Sequence, residues 1–197
     1  MKTANYDRIC VVTGFKSELI DNFIAQRFSD VSTIFNENYE TTGNLESLKK
    51  GLEQLDGLKQ VTVLDADLIF EQRILSAINI EENQIITANV GNNHDPVYIS
   101  VQENKIRFLS KKPEYSLQTT SEYVGIFNIV KNNIDLILNT RSTSNMDYED
   151  FFHKNKTSFC QNDILNYIWY ELDDELHLNT ILSLPIDVKL KLFRDQY

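Results

Sequence analysis

The sequence predicts an α/β domain built on a mixed, mostly parallel sheet with helices on both sides. Three observations carry this. Ile9–Thr13 (ICVVT) is a continuous β-branched, apolar run, the pattern of a strand covered on both faces. Segments with apolar residues at helical spacing separate such runs, so strands and helices alternate as in βαβ units. The length of 197 residues suits one domain spanning 1–197, and no linker, repeat or low-complexity tract divides it.

In order, Lys16–Phe28 is read as a helix from the spacing of Leu19, Ile20, Phe23, Ile24 and Phe28, and Ser32–Phe35 as a second strand. The polar, turn-rich FNENYETT (Phe35–Thr42) leads into a helix over Asn44–Leu55, with Leu45, Leu48, Leu52 and Leu55 on one face. Gln60–Leu64 is a third buried strand, running into Asp65-Ala66-Asp67. The second half is richer in strands: Gln84–Val90, Val97–Val101, Lys105–Leu109 and Glu122–Val130. Helical patterns return at Lys131–Leu138, Tyr148–Phe152 and Ile164–Tyr170, while Leu178–Tyr197 fits either strand or helix.

Charge and composition exclude several function classes. Nineteen basic against 29 acidic residues give a net charge of −10, which repels phosphate backbones and anionic lipid. A nucleotide held through a divalent cation stays compatible. No apolar run reaches the roughly 18 residues of a membrane helix, and MKTANYDRIC lacks the apolar core of a signal peptide. Cys10, expected as a small core residue, and Cys160 show no metal-type spacing, so a reduced, cytoplasmic setting is expected.

Chemistry concentrates in few places. Asp65 and Asp67 follow a buried strand, and in open α/β sheets ligands bind beyond the carboxyl ends of strands. Carboxylate oxygens suit Mg²⁺, which takes one or two of them and fills its other positions with water and phosphate. The bland alternative is a strand terminus capping a helix over Glu71–Ile80. GxSxG, HExxH and GxxxxGK[ST] are absent. His94, His153 and His177 are scattered as surface or capping residues, and Trp169 with Tyr167 and Tyr170 is expected in core packing.

Five blocks occur in order: ICVVTGFK (Ile9–Lys16), FNENYETTGNLESL (Phe35–Leu48), VLDADLIF (Val63–Phe70), IRFLSKKP (Ile106–Pro113) and EYVGI (Glu122–Ile126). Over about residues 8–130 this run resembles the sugar-nucleotidyltransferase family, particularly its small bacterial phosphocholine cytidylyltransferase-like branch. The resemblance implies a Rossmann-like, three-layer (GT-A-like) nucleotidyltransferase fold, Mg²⁺ as cofactor, an NTP (CTP favoured) and a small phosphorylated acceptor. It also implies a role in cell-surface polysaccharide biosynthesis. Position by position, Asp67 matches the Mg²⁺-binding aspartate, with Asp65 as its neighbour on the nucleotide. Thr42, Asn44 and Ser47 fall in the loop-to-helix block beside the nucleotide, where a helix N-terminus would also favour phosphate. Lys112 matches the catalytic lysine that reaches the acceptor's phosphate, and Glu122 the residue facing the acceptor pocket. Lys111 stands where relatives often carry glutamate. WYELDDEL (Trp169–Leu176) is similar to a late block that supplies a second metal aspartate, here Asp173. The competing reading is a continuous helix from Asn162 through Asp174 that turns Asp173 to solvent.

The family's opening strand and its L-x-x-G-x-G-x-R loop have no match; the chain starts inside what would be the next element. In the family's sheet that strand lies between those matched by Ile9–Thr13 and Gln60–Leu64. A longer parent protein, another segment filling the gap, with Leu178–Lys191 as candidate, or a degenerate member would each account for this. The expected activity is therefore nucleotidyl transfer. The alternatives are a non-catalytic relative acting as a binding module, and a DxD glycosyltransferase, which Asp163-Ile164-Leu165-Asn166 loosely suits.

Overall fold

The computed structural model describes residues 6–55, 57–90, 96–111, 121–141, 145–164 and 166–193. Its elements run β1 (Ile9–Thr13), α1 (Ser17–Arg27), β2 (Val31–Phe35), α2 (Asn44–Gln54), β3 (Gln60–Leu64), β4 (Leu68–Phe70), α3 (Arg73–Ser76), β5 (Gln84–Ala88) and β6 (Tyr98–Gln102). They continue with β7 (Lys105–Ser110), β8 (Ser121–Val130), α4 (Lys131–Asn139), α5 (Tyr148–Asn155), a 3-10 turn at Lys156–Ser158, β9 (Cys160–Asp163), β10 (Trp169–Glu171), α6 (Glu175–Ser183) and α7 (Ile186–Phe193). Contacts group these into two compact units, one comprising Met1–Gln60 with Val130–Asn155, the other Val61–Ile129 with Lys156–Tyr197.

In the first unit β1 and β2 pair in parallel, Ile9 opposite Val31 through Thr13 opposite Phe35, joined by α1 as the βαβ pattern predicts. The core of this unit is helical. Leu45, Leu48 and Leu52 line the buried face of α2, which packs against α4 and α5. Ile134 and Ile137 of α4 and Tyr148, Phe151 and Phe152 of α5 are buried with them. The strand expected to be covered on both faces is only half-buried from Ile9 to Val12, Cys10 included. The apolar spacing in α1 places its helix correctly, yet of the residues that gave it away only Ile24 is buried; Leu19, Ile20 and Phe23 are exposed.

The second unit holds a six-stranded sheet in the order β3-β8-β5-β9-β7-β6. β8 is ten residues long, enough to pair along its length with β3, with β5 and, at Ser121 and Glu122, with β6. β5 is buried throughout and β8 at every position except Val130, although both carry polar residues, Gln84 and Thr87 in β5 and Ser121, Glu122 and Asn128 in β8. Ile85, Ile86, Ile99, Ile106, Ile126, Phe127, Ile129 and Phe159 are shielded almost completely. A separate antiparallel ribbon joins β4 to β10.

The sheet is mixed, as expected, with one correction of emphasis. Parallel pairs join β1 to β2 and β5 to β9, whereas β5–β8, β6–β7, β6–β8, β7–β9 and β4–β10 are antiparallel. Strands that follow one another without a crossover helix, as in the second half, can only return antiparallel. Three further expectations change. Ile164–Tyr170 is no helix, because β9 ends at Asp163 and β10 begins at Trp169. The helix read over Glu71–Ile80 shrinks to Arg73–Ser76. Leu178–Lys191 is helical, not strand, and fills no gap in a sheet. Among the described residues β1 pairs only with β2, and β3 is an edge of the larger sheet.

Candidate functional site

The most distinctive constellation lies in the second unit, where Asp67, Glu171 and Asp173 each offer a carboxylate oxygen, all within 4.8 Å of one another. The chain builds it from the ribbon. Trp169 opposes Phe70, Tyr170 opposes Ile69 and Glu171 opposes Leu68. One step further the Leu172 N–H donates to the Asp67 carbonyl at 2.8 Å, bringing the turn after β3 to the end of β10. The other end of the ribbon is held by Glu71, only 3% exposed. Its backbone N–H donates to the Ile168 carbonyl (3.0 Å), and its carboxylate accepts from the Ile168 N–H (3.1 Å). Arg73 ion-pairs with Glu71 and lies 4.8 Å from the Tyr167 ring centre. Past the cluster, Asp174 caps α6 by accepting from the His177 N–H at 2.8 Å. The extended β10 excludes the helix from Asn162 to Asp174, and Asp173 stands beside Asp67 rather than away from it.

Electrostatics mark Glu171. Its carboxyl is pushed up to about 7, first by burial, then by Asp173 and Asp67, with Glu122 adding and Lys111 opposing. Like charges forced together disfavour ionisation of one member. His177 lies 3.5 Å from Asp173 and accepts from its backbone N–H at Nδ1. The donor set fits a hard cation: oxygen only, anionic, and open to water at Asp67 and Asp173. The sequence reading missed Glu171. Glu171 and Asp173 stand two residues apart in WYELD, a spacing that points both carboxylates the same way only once the segment is extended, which the helical reading of Ile164–Tyr170 concealed.

Asp65 sits against β8, its N–H donating to the Gly125 carbonyl at 2.9 Å. Gly125 has φ +80°, and a Cβ there would lie 2.8 Å from the Asp65 carboxylate and 2.9 Å from Leu68, so only glycine fits. Glu122 is fully buried in β8, opposite Ala88 and Tyr98. Lys112 and His94 lie outside the described residues, and Lys111 is exposed.

Thr42, Asn44 and Ser47 belong to the first unit, and the loop geometry distinguishes them. Asn36, 1% exposed, organises the segment. Its N–H donates to the Thr13 carbonyl (2.8 Å), its Oδ1 accepts from the Asn38 N–H (3.1 Å), and its Nδ2 donates to Ser47 Oγ (3.0 Å) and Thr42 Oγ1 (3.4 Å). Thr42 passes its own proton inward to the Asn38 carbonyl at 2.9 Å. Asn44 is committed to α5: its Oδ1 accepts from the Tyr148 N–H at 2.7 Å and its Nδ2 donates to Glu149 at 3.5 Å.

The start of α2, where phosphate was expected to be favoured, has an anionic neighbour. Asp147 already places a carboxylate there, accepting from the Asn44 N–H at 3.1 Å. Gly43 permits this approach, since a Cβ would strike the Met146 carbonyl and come within 2.6 Å of Asp147 Oδ1. An anion that is part of the fold thus occupies the end of the helix dipole.

A family model described as "Domain of unknown function (DUF6564)" matches residues 1–157. The chain belongs to that family. Solved structures resemble this DUF6564 chain over nearly its whole length. The inositol-1-phosphate CTP transferase from T. maritima superimposes with a TM-score of 0.78 at 16% identity, covering 98% of this chain and 80% of the other. A putative glucose-1-phosphate thymidylyltransferase from Bacillus anthracis gives 0.72 at 16% identity, covering 91% and 76%. The CTP:phosphocholine cytidylyltransferase from Streptococcus pneumoniae gives 0.70 at 13% identity, covering 91% and 79%. The DUF6564 chain therefore has the Rossmann-like fold of nucleotidyltransferases, as its sequence blocks implied. Among the described residues no helix is long and apolar enough to cross a membrane.

Proposed function

We propose that the chain is a nucleotidyltransferase that moves a nucleotidyl group from an NTP, CTP favoured, to a phosphorylated alcohol or sugar. The observation that carries this is the convergence of Asp67, Glu171 and Asp173 on a fold shared with proteins of that chemistry. In the reaction an oxygen of the acceptor's phosphate bonds to the α-phosphorus, the bond from the α-phosphorus to the bridging oxygen breaks, and pyrophosphate leaves with that electron pair. Asp67 and Asp173, joined by Glu171, would hold Mg²⁺. When bound, that ion supplies charge neutralisation to the triphosphate.

The chain's own residues do the positioning, which together with electrostatics is the main catalytic requirement of such transfers. Lys112 is proposed to steer the acceptor phosphate, Glu122 to line the acceptor pocket, and Asp65 to meet the nucleotide. Thr42, Asn44 and Ser47, in the loop-to-helix block of the first unit, are proposed to bind the nucleotide, with Ser47 the member whose hydroxyl proton is not used within the loop.

The test is pyrophosphate release across the four NTPs and a panel of phosphoesters, with and without Mg²⁺, beside Asp67→Ala. Mg²⁺-dependent release that falls at least a hundredfold in the variant is expected. Activity surviving Asp67→Ala removes the metal assignment. Turnover of UDP-sugars without NTP turnover replaces the reading with glycosyl transfer, and nucleotide binding without any turnover replaces it with a binding module.

A further inference from the structure

The hydrogen-bond arithmetic around Asn36 fixes a polarity. The Asn38 N–H can only donate, so the side-chain atom it meets is the Asn36 oxygen and the other end is the NH₂ group with two donors. Those two donors go to Thr42 Oγ1 and Ser47 Oγ. A hydroxyl that accepts from an amide keeps its own proton to give. Thr42 gives its proton back to the loop. Ser47, half-buried on α2, has no acceptor for its proton among the described residues.

We propose that Asn36 is a positioning residue that sets the Ser47 hydroxyl as a hydrogen-bond donor to an uncharged oxygen of a nucleotide, on its base or ribose. The inference rests on the nucleotidyltransferase reading and deepens it. The neighbourhood selects against phosphate. Glu37, Glu40 and Glu46 flank the loop and the first turn of α2, Lys50 is engaged by Glu37 at 2.8 Å, and the Asn44 N–H is taken by Asp147. Carboxylates repel a triphosphate but leave a carbonyl or hydroxyl oxygen unaffected. A donor at this position therefore reads the neutral half of the ligand.

Isothermal titration of the full chain tests this with three probes: the tightest-binding of the four ribonucleosides, the matching NTP with Mg²⁺, and inorganic pyrophosphate with Mg²⁺. Ser47→Ala removes the donor, and Ser47→Thr keeps it. Asn36→Asp keeps the acceptor for Asn38 but presents an acceptor to Ser47, drawing its proton inward. One net hydrogen bond predicts a roughly three- to tenfold loss of nucleoside and NTP affinity for Ser47→Ala and for Asn36→Asp. Ser47→Thr should bind as the wild type does, and pyrophosphate affinity should stay constant throughout. In the Ser47→Ala background, Asn36→Asp should cost nothing further, whereas a merely structural Asn36 would multiply the two losses. Wild-type nucleoside affinity in Ser47→Ala, a folded and conservative change, overturns the inference whatever Asn36→Asp does. Equal losses for nucleoside and pyrophosphate overturn it too. If the wild type binds neither nucleoside nor NTP, the nucleotidyltransferase reading falls and takes this inference with it; binding that no variant weakens removes the inference alone.

Discussion

Replacing Glu171 by glutamine should make the metal-free protein more stable at alkaline pH and no different at acid pH. Glu171 shares a 4.8 Å cluster with Asp67 and Asp173, and burial with these neighbours raises its carboxyl from 4.5 to about 7. Between those values the folded protein holds a proton that the unfolded chain has already released. The folded state binds more protons there, so stability falls as pH rises through the window and stays low above it. At about 1.4 kcal/mol per pKa unit the whole displacement corresponds to about 3 kcal/mol. Glu171 is only half-buried, and water screens it to roughly 1–2 kcal/mol. Glutamine keeps the shape and never ionises. At pH 8 in EDTA, Glu171→Gln should unfold about 2–8 °C above the wild type, taking about 2–4 °C per kcal/mol for a chain of this size. Below about pH 4 the two curves should coincide, because the wild-type carboxyl is then protonated in the unfolded chain as well as in the folded one, and by pH 5 a small part of the gap should already be open. Saturating Mg²⁺ at pH 8 should narrow or reverse the gap, since ligand binding stabilises the wild type more. Calorimetric melts at pH 4, 5, 6, 7 and 8 decide the matter. A variant equal to or less stable than wild type at pH 8 without metal, or a gap constant across pH, would refute the cluster electrostatics.

Three stability predictions follow from single residues. Gly125→Ala forces a Cβ to 2.8 Å from Asp65 at φ +80°, so urea denaturation should show a loss of at least about 2 kcal/mol, beyond the roughly 1–2 kcal/mol that the backbone conformation alone costs. Asn128→Leu strands the Ile80 and Glu82 carbonyls, which Nδ2 now satisfies at 3.2 and 2.7 Å, and the Thr62 hydroxyl that donates to Oδ1 at 3.1 Å. A loss of about 2–4 kcal/mol is expected in the same assay. Asp147→Ala uncaps α2 at the Asn44 N–H and should lower the urea midpoint by about 1 kcal/mol equivalent, with the slope unchanged.

Legibility followed the range of the physical signal. β3 was readable to the residue, and α2, β7, β8 and α4 to within a residue or two, because their apolar period is set by neighbours close in sequence. The stretch from Ile164 to Tyr170 misled because its aromatic and apolar spacing fits a helix, while the pairing that makes β10 a strand comes from β4, about a hundred residues earlier. That error bears on function, since a helix there would have separated Asp173 from Asp67. The DxD motif pointed to one side of the cluster; Glu171 needed the strand assignment before it could be seen. Asn36 was invisible for a different reason: it touches no candidate ligand, and its importance lies in which atom of its amide faces which neighbour. The carboxylate that meets the start of α2 was equally invisible, because Asp147, which accepts from the Asn44 N–H, lies 103 positions away.

A cluster whose charges oppose one another has to be held by interactions that do not depend on it. The ribbon meets this requirement. The Glu71–Ile168 pair of hydrogen bonds and the Arg73 ion pair anchor one end, the Leu172–Asp67 backbone bond passes beside the carboxylates, and the Asp174 cap fixes the chain where it turns into α6. All of these are backbone or neighbouring-residue contacts, and none uses the carboxylates of Asp67, Glu171 or Asp173 as an acceptor. Beside Asp173 only His177 approaches, at 3.5 Å, and the repulsion among the three groups is confined to side chains. A purely structural acidic turn would show the reverse, with its carboxylates spent on backbone N–H groups as those of Asp174 and Asp147 are.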